Sequence, residues 1–155
     1  MGMREILFRA KINKTESEWV EGFYVHIPCG RFMCDEHLIQ TIDADGRIGQ
    51  LYNVYESTMG QFTGLTDKNG KKIFEGDIIK FHKYRGEPDW TGVVKYEYCS
   101  YIAVGRMPLA YEKRIGEEPY FCPFEVQLSG IDKAAINVIG NIHDNPELIG
   151  GKGNA

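Results

Sequence analysis

The apolar positions of this chain recur every second residue over much of its length, a period that belongs to strands with two unlike faces. In residues 4–12, REILFRAKI, the positions Arg4, Ile6, Phe8, Ala10 and Ile12 fall on one side, with Glu5, Leu7, Arg9 and Lys11 on the other. WVEGFYVHI repeats the pattern and puts Trp19, Phe23, Val25 and Ile27 on one face. EHLIQTI and IGQLYNVY flank Asp43-Ala44-Asp45-Gly46, so they read as a hairpin with Asp-Gly in its turn. The first 57 residues therefore predict a meander of about four strands.

A denser segment follows, GQFTGLTDKNGKKIFEGDIIKF, residues 60–81. Phe62 to Leu65 predicts a short strand and Asp67-Lys68-Asn69-Gly70 a tight turn, since Asn and Gly both tolerate positive φ. Ile73-Phe74 is a brief return, and Gly76-Asp77 resets the chain before the strand IIKFHKY. Beyond the loop RGEPDW, the run VVKYEYCSYIAV reads as one long strand with Val94, Tyr96, Tyr98, Ile102 and Val104 on a shared side. Residues 105–119 carry charges and proline, which predicts a loop. Pro123 confines YFCPFEVQL to a sheet edge or bulge. A helical turn is expected near Ile131 to Ala135, then a strand from Asn137 to Ile142. Asn145-Pro146 reads as an N-cap followed by proline at the first helical position.

The fold expected is mostly β: an N-terminal meander, residues 1–57, packed on an SH3-like small barrel, residues 58–149. Residues 150–155 are expected to be a disordered tail. With 155 residues, 43% of them apolar, the chain is long enough to bury a core. The net charge of −4 and pI near 5.6 argue against a general binder of phosphate backbones. No run has the length of a membrane span, and the N-terminus lacks the apolar stretch of a signal peptide. A cytoplasmic, reducing location is the expectation, with the four cysteines as thiols.

Candidate chemistry is sparse. Glu75 and Asp77 flank one glycine, and paired carboxylates can run acid/base or metal-dependent hydrolysis. The competing reading gives Gly76 an unusual φ and lets Asp77 hydrogen-bond the adjacent backbone, with Glu75 in water; it is preferred, because Gly and Asp serve so often as turn residues. The loop residues His82, Lys83, Tyr84, Arg85 and Trp90 interleave cations with aromatics, as a nucleic-acid contact would. Glu87, Asp89 and the net charge weigh against it. Cys29, Cys34 and His37 supply one incomplete set of zinc ligands where a structural site needs four. His26, His37, His82 and His143 are scattered, so no general base stands out, and no cofactor is expected.

Several of these stretches together resemble the YopX family of phage and prophage proteins: MREILFRAK, WVEGFYV, MGQFTGLTDKNGKKIFEGDIIKF, TGVVKYE and VIGNIHDNPELI. They lie in the family's order and span nearly the whole chain. On this resemblance Gly64, Asp67, Asn69, Gly70, Glu75, Gly76, Asp77, Gly140, Asn141, Asn145 and Pro146 form a signature. Departures fall in residues 28–50 and 105–119, and Lys11 stands where the family often has Trp. The resemblance implies a phage-encoded, β-rich protein of the host cytoplasm with no established activity and no catalytic residues to carry over. The expectation is an accessory protein that acts by binding, as a homo-oligomer or with a phage or host protein. Tyr96, Tyr98 and Tyr101 are offered as partner contacts.

Overall fold

The computed structural model describes residues 5–29, 35–82, 86, 89–106 and 123–149. Among these described residues the regular elements are eleven strands and four single turns of 310 helix. The chain divides into two compact units, residues 1–64 and 65–155. The division falls seven residues beyond the expected end of the meander. The strand from Gly60 onward pairs with the first strand (Phe8 opposite Gln61, Arg9 opposite Gly60) before the chain leaves the first unit.

The first unit holds β1 (Phe8–Lys11), β2 (Trp19–Ile27), β3 (Glu36–Ile42), β4 (Ile48–Asn53) and most of β5 (Gly60–Thr66), all antiparallel, in the order β4-β3-β2-β1-β5. A further bridge joins Ile12 to Val54, so the sheet curls from β4 back toward β1. Its inner face carries Ala10, Val20, Ile39 and Val54, with Phe8, Ile12, Tyr52 and Met59 packed around them. The Asp43–Gly46 hairpin forms as expected, with the Asp43 carboxylate accepting from the N–H groups of Asp45 and Arg47.

The sequence pattern puts Phe23, Val25 and Ile27 on one face of β2 without saying which face is buried. They do share a face, and it is the solvent face. Val20 and Gly22 face the core, and Phe23, Val25 and Ile27 are exposed. β2 is apolar on both sides, so alternation alone leaves the choice of face open. The small residues Ala10 and Gly22 allow close packing on the side that the curl of the sheet turns inward.

The second unit contains the end of β5 and β6 (Lys72–Phe74), then β7 (Asp77–Phe81), β8 (Trp90–Glu97), β9 (Ser100–Arg106), β10 (Pro123–Gln127) and β11 (Asn137–Asn141). The last five form an antiparallel sheet in the order β10-β9-β8-β7-β11. β10, with its proline, is an edge strand as predicted. The core is built from Ile73, Ile79, Phe81, Trp90, Val94, Ala103, Phe124, Leu128, Ile136 and Val138. Gly92 and Gly105 stand opposite each other, and the Phe124 ring lies over both. The 310 turns include Lys133–Ala135, capped by the Asp132 carboxylate accepting from Ala134 N–H, and Pro146–Leu148. Asn145 occupies the N-cap position of the latter without a side-chain capping bond.

The expected single strand VVKYEYCSYIAV is two strands. Glu97 pairs with Ser100, and Tyr98 and Cys99 form the two-residue turn between them with φ of 52° and 60°. Tyr96 and Tyr101 face each other across the hairpin, their ring centroids 4.9 Å apart, while Tyr98 is 84% exposed at the tip. This turn needs positive φ at both central positions, which favours Asn-Gly. Tyr and Cys gain nothing there to offset the left-handed backbone. Replacing the pair with Asn-Gly (Tyr98→Asn/Cys99→Gly) is expected to stabilise the protein by about 1–2 kcal/mol. In thermal unfolding this is a rise of about 2–8 °C; an unchanged or lower midpoint contradicts the strain.

Candidate functional site

In the second unit, the residues of the 60–81 segment are engaged with backbone. Asp67 is 4% exposed. Its Oδ1 accepts from the N–H groups of Asn69 (2.8 Å) and Lys71 (2.9 Å), and its Oδ2 from Val138 N–H on β11 at 3.1 Å. One carboxylate thus closes the Asp67–Gly70 turn and fastens it to a strand 71 residues away. Burial pushes the Asp67 carboxyl up, but the three N–H donors and the Lys71 charge outweigh it and hold the group below its ordinary value. Lys68 N–H donates to Ile136 O, and Asn69 Nδ2 to Asn137 Oδ1, adding two more ties to the same region.

Asp77, 1% exposed, accepts from Phe74 N–H through Oδ2 at 2.8 Å. Between them Gly76 takes φ +81°, donates to Val94 O and accepts from Ile142 N–H. A side chain at this φ is strained, so glycine is what lets the backbone turn here. Glu75 is half-buried, where water exposure was expected. Gly140 sits at a bulge in β11, with the Asn145 side chain against it, and Asn141 Oδ1 accepts from His143 and Asp144 N–H. Most of the signature therefore makes turns, a bulge and the ties between them. Gly64 lies in β5 with φ +85°.

The 82–90 loop is described only in part; Lys83, Tyr84 and Arg85 lie outside the described residues. His82 is exposed, with Nδ1 3.8 Å from an Asp89 oxygen. Trp90 is 4% exposed and packs in the core against Phe81 and Phe124, so its ring is not part of the loop's surface.

A cluster that the sequence does not advertise lies on the first unit. The β2–β3 register puts His26 directly opposite His37, and their rings stack with centroids 5.0 Å apart. Tyr24 stacks on both, and its hydroxyl is 2.7 Å from His37 Nδ1. His37 Nε2 lies 3.3 Å from Glu56, and His26 Nε2 lies 3.4 Å from Asp35. Burial, then Glu56 and Asp35, push the Tyr24 phenol up, which suits a hydrogen-bond donor and works against a phenolate nucleophile. Asp35 is held low, first by Cys29 N–H, then by the Cys29 thiol and His26. Both His37 ring nitrogens thus have partners other than the cysteines proposed with it. Cys29 is exposed beside Asp35, Cys34 lies outside the described residues, and no metal-holding group of three is found among the described residues. The signal for this cluster was the strand register about residues 28–35, which composition and spacing do not reveal.

The remaining feature is a surface. In antiparallel pairs, opposite residues share a face. Val25 opposes Leu38, Leu38 opposes Asn53, Phe23 opposes Gln40, Gln40 opposes Leu51, and Ile42 opposes Ile48. A bulge in β4 between these last two pairs keeps both Leu51 and Ile48 on the outer face despite their spacing of three. Gln40 Nε2 turns to Gly49 O, and Thr41 Oγ1 donates to Gln50 O across the bulge. The result is an outer strip of Phe23, Val25, Ile27, Leu38, Gln40, Ile42, Ile48, Leu51 and Asn53. Six of its apolar side chains are exposed, Ile48 at 80%. A solvated sheet face is normally polar. At the β1 side the same face is covered differently, with the Arg9 guanidinium 4.7 Å over the Trp19 ring.

Two antiparallel sheets in two compact units, tied by buried aspartates and bearing an apolar outer strip, define a β-rich protein. The profile of the family described as YopX protein matches residues 7–150, and the chain belongs to that family. Among solved structures it is similar to protein EF1440 from Enterococcus faecalis. The identity is 22% with a TM-score of 0.50, over 95% of this chain and 99% of that one, a likeness of fold. Comparison with curated proteins returns no significant match. No helix among the described residues is long and apolar enough to cross a membrane.

Proposed function

We propose that this protein is a phage or prophage accessory protein of the host cytoplasm that acts by binding through the outer strip of its first unit, without catalysis. The observation that carries this reading is the strip itself: six large apolar side chains exposed together on one sheet face. Two further features support it. Asp67 and Asp77 accept hydrogen bonds from backbone N–H groups in turns, which is scaffold work. Tyr24 is held as a donor to or partner of His37, and its raised pKa does not suit a nucleophile.

The reading is tested by affinity capture from infected host cells, with the native protein and a Phe23→Lys/Leu51→Lys variant as parallel baits. Circular dichroism confirms that both are folded. Proteins held by the native bait are expected to be lost from the variant, because a lysine buried in an apolar contact leaves an uncompensated charge. Capture of the same proteins by both baits places binding elsewhere and overturns the assignment of the strip.

A further inference from the structure

We infer that the occupant of the outer strip is the same strip of a second copy of this chain, docked face to face about a two-fold axis; this rests on the reading that the strip is a binding surface. The distribution of charge favours a second copy. The middle of the strip carries no charged residue, in a chain with 18 basic and 22 acidic ones, although Glu36 lies opposite Ile27 on the same face. The nearest charges on β2 and β3, Glu21 and Glu36, stand at the ends of the strip. An identical copy brings identical charges, so a surface that meets itself must be neutral or be patterned with both signs. The middle of this strip is neutral, whereas a charged partner would call for charges opposite its own there.

The exposed apolar area favours a second copy too. The fractional exposures of Phe23, Val25, Ile27, Ile42, Ile48 and Leu51 amount to about three whole side chains. At roughly 150–200 Å² per large side chain this is about 500 Å² of apolar surface per copy. That lies toward the upper end of the roughly 300–600 Å² typical of the largest patch on a monomer. Two such strips bury about 1,000 Å² between them, the threshold of a specific interface. The geometry also fits: two twisted sheets pack with aligned strands about 10 Å apart, interdigitating the side chains of both faces. An interface at this threshold belongs to the weak, transient class, so dissociation at micromolar concentrations is expected.

Sedimentation equilibrium of the full chain across micromolar concentrations tests this. The native protein is expected to pass reversibly between monomer and dimer. A Val25→Lys/Leu51→Lys variant and a Val25→Glu/Leu51→Glu variant are each expected to dimerise about 100-fold more weakly, since each buries like charges against like. An equimolar mixture of the two is expected to recover a heterodimer, because strip meets strip. Ile48→Lys, at the most exposed strip position, repeats the test should either double variant unfold. A native protein that stays monomeric at high micromolar concentration overturns the second copy as occupant. So does a dimer that the variants leave intact, or a mixture of the two that stays monomeric. The capture comparison of Phe23→Lys/Leu51→Lys with native bait is read separately. Loss of a captured host protein from that variant, with a monomeric native chain, upholds the strip as a binding surface and rejects only its self-pairing.

Discussion

Asp67→Ala is expected to cost about 3–5 kcal/mol of unfolding free energy, because it removes the acceptor of three backbone N–H groups at once. The donors are not equal. Asn69 and Lys71 are exposed and turn to water when the carboxylate is gone. Val138 N–H is buried and gains no substitute, so the larger share of the loss falls at β11. Charge-assisted bonds of this kind are each worth about 1.5–3 kcal/mol. Partial recovery by water brings the sum to the figure given. Denaturant unfolding followed by circular dichroism reads the total, and amide exchange at Val138 reads where it falls. A loss below about 1 kcal/mol, the worth of one ordinary hydrogen bond, contradicts the role assigned to Asp67.

Gly105→Ala has the second large effect expected. A Cβ at this position would overlap Thr91 O and come within 2.8 Å of Gly92 Cα and 3.0 Å of Phe124 Cζ. The first two are backbone atoms of the adjacent strand and cannot step aside without separating β8 from β9. The third belongs to a ring wedged in the core. Overpacking usually costs about 1–3 kcal/mol, and here the rigid neighbours put the cost at about 3 kcal/mol or above. For a chain of this length that lowers the thermal midpoint by roughly 10 °C. Gly130→Ala, where nothing stands within 4 Å of the new carbon, is the matched control with a change within about 0.5 kcal/mol.

Sequence and structure agree best where local chemistry decides the outcome. Asn69-Gly70 and Asp45-Gly46 announced their turns because few other residues accept the backbone they need. Gly76 announced the corner before β7 for the same reason. Tyr98 and Cys99 concealed theirs: they occupy a turn against their own preference, so a reader of residue types sees one strand where there are two. The face of β2 was hidden for another reason. Apolar residues stand on both sides of that strand, and only the curl of the whole sheet selects Val20 over Val25 for the core. The pairing of His26 with His37 and the tie from Asp67 to Val138 depend on register and on distant chain, and a single sequence carries neither. The family signature was legible as a motif. Its physical meaning, that much of it makes turn and bulge geometry, required the hydrogen bonds.

Stability against pH follows from the same carboxylate. Asp67 is held below the ordinary aspartate value of about 3.9, so the unfolded chain takes up its proton before the folded one does. The stabilisation is complete above that ordinary value and is lost as the pH falls from about 4 through the folded value. Asp67→Asn removes this contribution, so the native protein and the variant differ less in stability at pH 3 than at pH 7.

We propose that the densest segment of the sequence is scaffold, its most connected carboxylate, Asp67, holding the fold and doing no acid/base chemistry. The most direct test is to follow the Asp67 side-chain carboxyl by carbon-detected nuclear magnetic resonance through an acid titration of the folded protein. A midpoint below about 3.9 is the result expected for a carboxylate held by backbone N–H groups. A midpoint raised above that value, as a general acid requires, would contradict the account.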